Sequence, residues 1–80
     1  MDKNAFYSKL NELLELPAGT IAGVSALTAI AEWDSVAVIS FIAMADSDYG
    51  ATVPPERIAR CRTVDDLAGL VVEFSPQHAE

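Results

Sequence analysis

Ser35 follows an acid and precedes an apolar run: Trp33-Asp34-Ser35-Val36, then Val36 through Ala45. A hydroxyl at the start of a helix is exposed and can be modified, and the helix dipole favours a phosphate attached there. Using the same hydroxyl as an attacking nucleophile is a different matter. That needs a base within hydrogen-bond reach and an oxyanion site. The only histidine, His78, lies in a polar tail after Pro76, so a small hydrolase built on Ser35 lacks its base. Asp34 serves a helix start in its own right, because its carboxylate can accept the free N–H groups of the first turn. Asp-Ser at a helix start is common for that reason alone, so the surroundings must carry any functional reading.

Other residues with chemical capacity read as structural. Cys61 is the only cysteine. That excludes an intrachain disulfide and a cysteine zinc site. Its place in the pattern Ile58, Cys61, Val64 predicts a buried small hydrophobe. The acid pairs Asp46/Asp48 and Asp65/Asp66 fall at expected helix ends, where solvated carboxylates are the simpler reading, since perturbed acid pairs need a cleft. There is no glycine-rich phosphate loop, repeat or metal-ligand cluster. No metal site and no enzyme activity are expected.

Eighty residues make one domain, expected to span 1–80. A chain of this length buries only about 60% of its unfolded surface. The apolar fraction of 51% and mean hydropathy of +0.26 still argue for a folded core. The longest apolar run is far shorter than the roughly 18 residues of a membrane span. The first segment is amphipathic, with no secretory pattern, so a cytoplasmic location is the expectation. The net charge is −7 with a pI near 4.4. Between Leu10 and Glu56 no Lys or Arg occurs, while Arg57, Arg60 and Arg62 cluster just beyond. Phosphate-backbone binding needs clustered cations, so nucleic acid is disfavoured. A surface of one sign steers basic partners or simply maintains solubility.

These residues must be positioned by helices. Phe6, Leu10, Leu13 and Leu14 repeat at helical spacing, which predicts a first helix over 2–16, with Asp2 at its start and Pro17 ending it. A long connection, 17–34, carries Ile21, Val24, Leu27, Ile30 and Trp33 as packing anchors, with a helical turn expected within 25–31. The second helix is expected over 35–49, capped by Asp34 and closed by Gly50. Phe41, Ile42, Ala45 and Tyr49 form one apolar stripe on it. Val36, Ile39 and Ala43 form another, and a helix apolar on two faces is deeply buried or offers one face to a partner. Pro54-Pro55 opens a short third helix over 54–61. Thr63 and Asp66 resemble a capping box opening a fourth over 63–74, with Leu67, Leu70, Val71 and Phe74 inward and Pro76 as its stop. Residues 75–80 form a tail. The expected fold is all-α, a small four-helix bundle of three main helices and one short one.

In this order and spacing the chain resembles the acyl carrier protein family, the phosphopantetheine-binding carrier domains. Asp34-Ser35-Val36 is similar to the family's Asp-Ser-Leu attachment motif, with Val for Leu. Phe41, Ile42, Ala45 and Tyr49-Gly50 resemble its second helix and the turn after it. Val53-Pro54 resembles the entry to its third helix, and Thr63-Val64-Asp65-Asp66-Leu67 its fourth. The resemblance covers nearly the whole chain and runs without obvious gaps from Trp33 to Val71.

The resemblance implies that Ser35 accepts a 4′-phosphopantetheine group from coenzyme A. A separate phosphopantetheinyl transferase, using Mg²⁺, recognises a site that includes Asp34. It implies a stand-alone, monomeric carrier of acyl thioesters, served by ligase-, ketosynthase- or acyltransferase-type enzymes. It also implies an acyl-chain pocket drawn from Phe41, Ile42, Ala45, Val53, Ile58, Cys61, Leu67 and Leu70. Two departures bear on the pathway. Many fatty-acid carriers are acidic on the exposed side of the second helix, where the matching positions here are Ala37 and Ser40. Trp33 also stands where fatty-acid carriers often have a small residue. A specialised polyketide-like, lipid or cell-surface pathway fits these departures better, with Val36, Ile39 and Ala43 as an apolar docking strip. The competing readings are a peptidyl or aminoacyl carrier and an acidic helical adaptor that is never modified.

Overall fold

Asp2 starts the first helix by accepting the Asn4 N–H at 3.0 Å. In the computed structural model, which describes residues 2–17 and 19–75, this helix, α1, spans Lys3–Leu13. It ends three residues short of the expected Leu16, and Pro17 is not what ends it. Glu15 adopts the left-handed conformation at φ 58°. The N–H groups of Glu15 and Leu16 then turn back to the carbonyls of Glu12 and Asn11, a Schellman closure with glutamate where glycine is usual. The expected stop at Pro76, and the tail with Gln77, His78 and Glu80, lie outside the described residues.

The long connection is packed against the helices at several points. Buried Asn11 accepts the Ile21 N–H at 3.2 Å. Leu27 donates to the Arg62 carbonyl, Val64 to that of Ser25 and Asp65 to that of Gly23, at 2.9–3.1 Å. Gly23 is required where it stands. A Cβ there would come within 2.5 Å of the Asp65 carboxylate and the Tyr7 hydroxyl. Tyr7 donates to Asp65 at 2.6 Å and Lys3 lies 3.6 Å from it. Asp65 is thus a bonded acid and not the freely solvated one the sequence suggests. The hydrogen bond to Asp65, more than burial, holds the Tyr7 phenol above its ordinary pKa. A 3₁₀ turn at Leu27–Ala29 occupies the stretch where a helical turn is expected.

Helix α2 covers Ser35–Tyr49 and closes on Gly50 at φ 65°. Its core face is Ala37, Phe41 and Ala45, spaced by four. This corrects the reading of Ala37 as a solvent-facing position: it shares the face of Phe41 and is buried, while Ser40 is half-buried. Ile42 and Tyr49 are also only half-buried.

Helix α3, Pro55–Ile58, is shorter than the expected 54–61 because the chain tightens at once into turns, Arg60 N–H to the Arg57 carbonyl and Cys61 N–H to that of Ile58. Thr63 caps α4, Val64–Phe74, with the reciprocal bonds of a capping box: Asp66 N–H to the Thr63 hydroxyl and Thr63 N–H to the Asp66 carboxylate.

Among the described residues four helices therefore enclose one core, and the fold is a small all-α bundle. Phe6 sits at its centre, edge-on to Phe41 at 6.2 Å and tilted to Tyr49 at 6.4 Å. Leu10, Val53, Val64, Leu67 and Val71 are buried in the same core. Among the described residues no helix is long and apolar enough to cross a membrane.

Candidate functional site

The start of α2 is held from both sides. Trp33 donates its backbone N–H to the Ile30 carbonyl at 3.0 Å, and its ring packs edge-on against Phe41 at 6.0 Å, half-buried. One residue on, Asp34 accepts the Ala37 N–H at 2.9 Å, and its own carbonyl accepts the Val38 N–H at 3.0 Å. Ser35 lies between these anchors as the first helical residue, exposed, with Asp34 and Val36 exposed beside it. The backbone under the hydroxyl is fixed while its outer side is open to solvent.

The electrostatics at this point come from the helix. Asp34 occupies the Ala37 N–H, while the N–H groups of Ser35 and Val36 have no intrahelical acceptor. They give the helix start its positive end, suited to an attached phosphate. No His, Lys or Arg lies between Leu10 and Glu56 in the sequence. Among the described residues no group of three His, Cys, Asp or Glu side chains is placed to hold a metal. Ser35 is thus an anchored, exposed hydroxyl at a helix N-terminus.

Two surfaces adjoin it. On α2, Val36 and Ile39 are 68% and 67% exposed and Ala43 is also exposed. Large apolar side chains so open to water are the informative exception on a small domain. On the other side of α2 a groove of about 320 Å³ runs between the connection, α2 and α3, walled by Leu27, Ile30, Trp33, Val38, Ile58 and Cys61. It falls at the low end of ligand-pocket sizes.

Of the residues expected to form an acyl pocket, Ile58 and Cys61 line this groove. Phe41, Ala45, Val53, Leu67 and Leu70 are buried and Ile42 is half-buried. Leu27, Thr28, Ile30, Trp33 and Val38 line the groove without having been expected there. Leu27, Ile30 and Trp33 stand out in the sequence as large apolar anchors in a connection of mostly small residues, a signal that they face something shared. Cys61 is half-buried, not buried. Its thiol donates to the Arg57 carbonyl at 3.5 Å, and desolvation, more than nearby Asp66, raises its pKa. A thiol pushed that way is a poor nucleophile.

A family model described as a phosphopantetheine attachment site matches residues 6–71, most of the chain. No curated protein and no solved structure matches it.

Proposed function

We propose, on the premise that this chain belongs to the phosphopantetheine attachment-site family, that it is a stand-alone acyl carrier whose prosthetic arm is attached at Ser35. Membership makes it a carrier domain. Its cofactor is a covalent 4′-phosphopantetheine, and its partners include a phosphopantetheinyl transferase and the enzymes the arm visits. Such domains are typically carriers, with the catalysis done by their partners. The observation that carries the assignment to Ser35 is its position: an exposed hydroxyl at the first residue of a helix anchored by Trp33 and Asp34.

Each neighbouring residue has a task in this reading. Ser35 Oγ holds the phosphoryl end, next to the unpaired N–H groups of the first turn. Asp34 keeps the helix start in place and gives the transferase a charge to read. When bound, the group supplies a terminal thiol that carries the cargo as a thioester. Val36, Ile39 and Ala43 form the docking strip for partner enzymes. Ile58 and Cys61, with the Trp33 side of the groove, shelter the near end of the cargo. The apolar strip and Trp33 favour a specialised polyketide-like, lipid or cell-surface pathway. Peptidyl or aminoacyl cargo would use the same arm, and identifying what is bound in the producing cell separates the two.

Incubation with coenzyme A, Mg²⁺ and a broad-specificity transferase tests the proposal. The intact mass rises by one phosphopantetheine in the wild type and stays unchanged in Ser35→Ala. No gain in a folded wild type would instead make the chain an unmodified helical adaptor.

A further inference from the structure

A second groove, of about 590 Å³, lies between α3 and α4. We propose that it is a docking surface for an acidic segment of a partner protein. The proposal is independent of which serine bears the arm.

The chain has five Lys and Arg side chains against twelve acids. Three of the five are engaged: Lys3 with Asp65 at 3.6 Å, Lys9 with Asp48 at 3.3 Å and Arg57 with Glu73 at 2.9 Å. Among the described residues Arg60 and Arg62 have no ion-pair partner, and both are exposed on this groove. The acids in the same groove are committed elsewhere. Glu73 holds Arg57, Asp65 holds Tyr7 and Lys3, and Asp66 accepts the backbone N–H groups of Arg62 and Thr63. The unused donors of the groove are therefore two guanidinium forks, the group best shaped to grip carboxylates in pairs.

The floor gives an independent indication. Gly69 lies in the interior of α4, exposed to the groove, and a Cβ built on it would meet nothing within 4 Å. Glycine there is less favourable to the helix than alanine, and no neighbour demands it. Bare backbone at that point lets an extended segment approach closely. On a molecule of net charge −7, Arg60 and Arg62 are the two cations without an ion-pair partner among the described residues, so the guanidinium groups open to an acidic segment lie together in this groove. Such charge complementarity fixes register more than it adds affinity.

Heteronuclear NMR of the full chain, titrated with a short peptide of alternating Glu and Ala, reads this directly. The expected shifts fall at 57–62 and 69–73 and fade with added salt. Affinity should drop about tenfold in the double variant Arg60→Glu/Arg62→Glu. Gly69→Gln fills the floor with a good helix former. It should raise Tm yet weaken the peptide about fivefold, which separates blocked docking from a damaged fold. The matching Lys–Ala peptide should leave these positions unshifted. The proposal is overturned if the acidic peptide shifts other surfaces, if the double variant binds as well as the wild type, or if Gly69→Gln binds unchanged. It is equally overturned if pyrophosphate shifts the same residues with the same affinity, which would mark a general anion site.

Discussion

At the scale of the residue, Asp34 has two separable roles. Its carboxylate accepts the Ala37 N–H, a task Asn performs nearly as well. Its charge faces solvent beside Ser35, where only a partner enzyme would read it. Asp34→Ala should therefore lower stability by about 1 kcal/mol and also slow loading of the arm. Asp34→Asn should leave stability within a few tenths of a kcal/mol while slowing loading as much. Denaturant midpoints and loading rates for the pair decide it. Equal loading by Asn and Asp would reduce Asp34 to a cap.

At the scale of the element, ends and caps are where sequence and structure part. The apolar spacing in α1 is continuous through Leu14, and Pro17 is an obvious stop, so nothing local marks Glu15 as left-handed. What places the end earlier is tertiary: Asn11 and Leu14 are buried, and the chain must turn for Asn11 to meet Ile21. Glu15→Gly should relieve the left-handed strain and stabilise the protein by about 0.5–1 kcal/mol, read as a rise of a few degrees in Tm. Unchanged or lower stability would mean the Glu15 side chain contributes more than its backbone costs.

By contrast the capping box of α4 is legible from Thr63 and Asp66 alone, because its bonds are local. The backbone N–H groups of Arg62 and Thr63 hold the Asp66 carboxyl below the ordinary carboxylate range. A depressed folded pKa gives stability that is fully present above the unfolded value and lost as pH falls through the folded one. Tm should thus fall below about pH 4, and Asp66→Asn should flatten the part of that fall due to this residue. An identical acid limb in the variant would show that other carboxylates govern it.

At the scale of the whole molecule, charge and apolar surface are distributed unevenly. Acids dominate from Glu12 to Glu56, yet the exposed face of α2 next to Ser35 carries Val36, Ile39 and Ala43. Docking of partner enzymes through that strip should survive added salt, because apolar contact is not screened, whereas ion pairs are. A steep salt dependence of partner affinity would return recognition to the acids.

Helix spacing alone puts Ser35 at the start of α2 and Val36, Ile39 and Ala43 on one stripe, and all of them, with Asp34, are exposed; the roles proposed for them rest on the family resemblance, not on spacing. Ala37 lies on the core face because it stands four residues before Phe41, a spacing that overrides the solvent-facing place the family pattern implies for it. The groove was not legible, since its walls come from a connection, α2 and α3 folded together. No period in the sequence encodes that Trp33, Val38 and Ile58 meet.

The central claim is that Ser35 bears the arm, and site-resolved mass spectrometry of the protein isolated from its own cell tests it most directly. Digestion and fragmentation should place a single phosphopantetheine on the peptide containing Trp33-Asp34-Ser35-Val36, with its cargo still on the thiol. Finding the group on Ser8, Ser25, Ser40, Ser47 or Ser75, or finding the Ser35 peptide uniformly unmodified, would contradict the account.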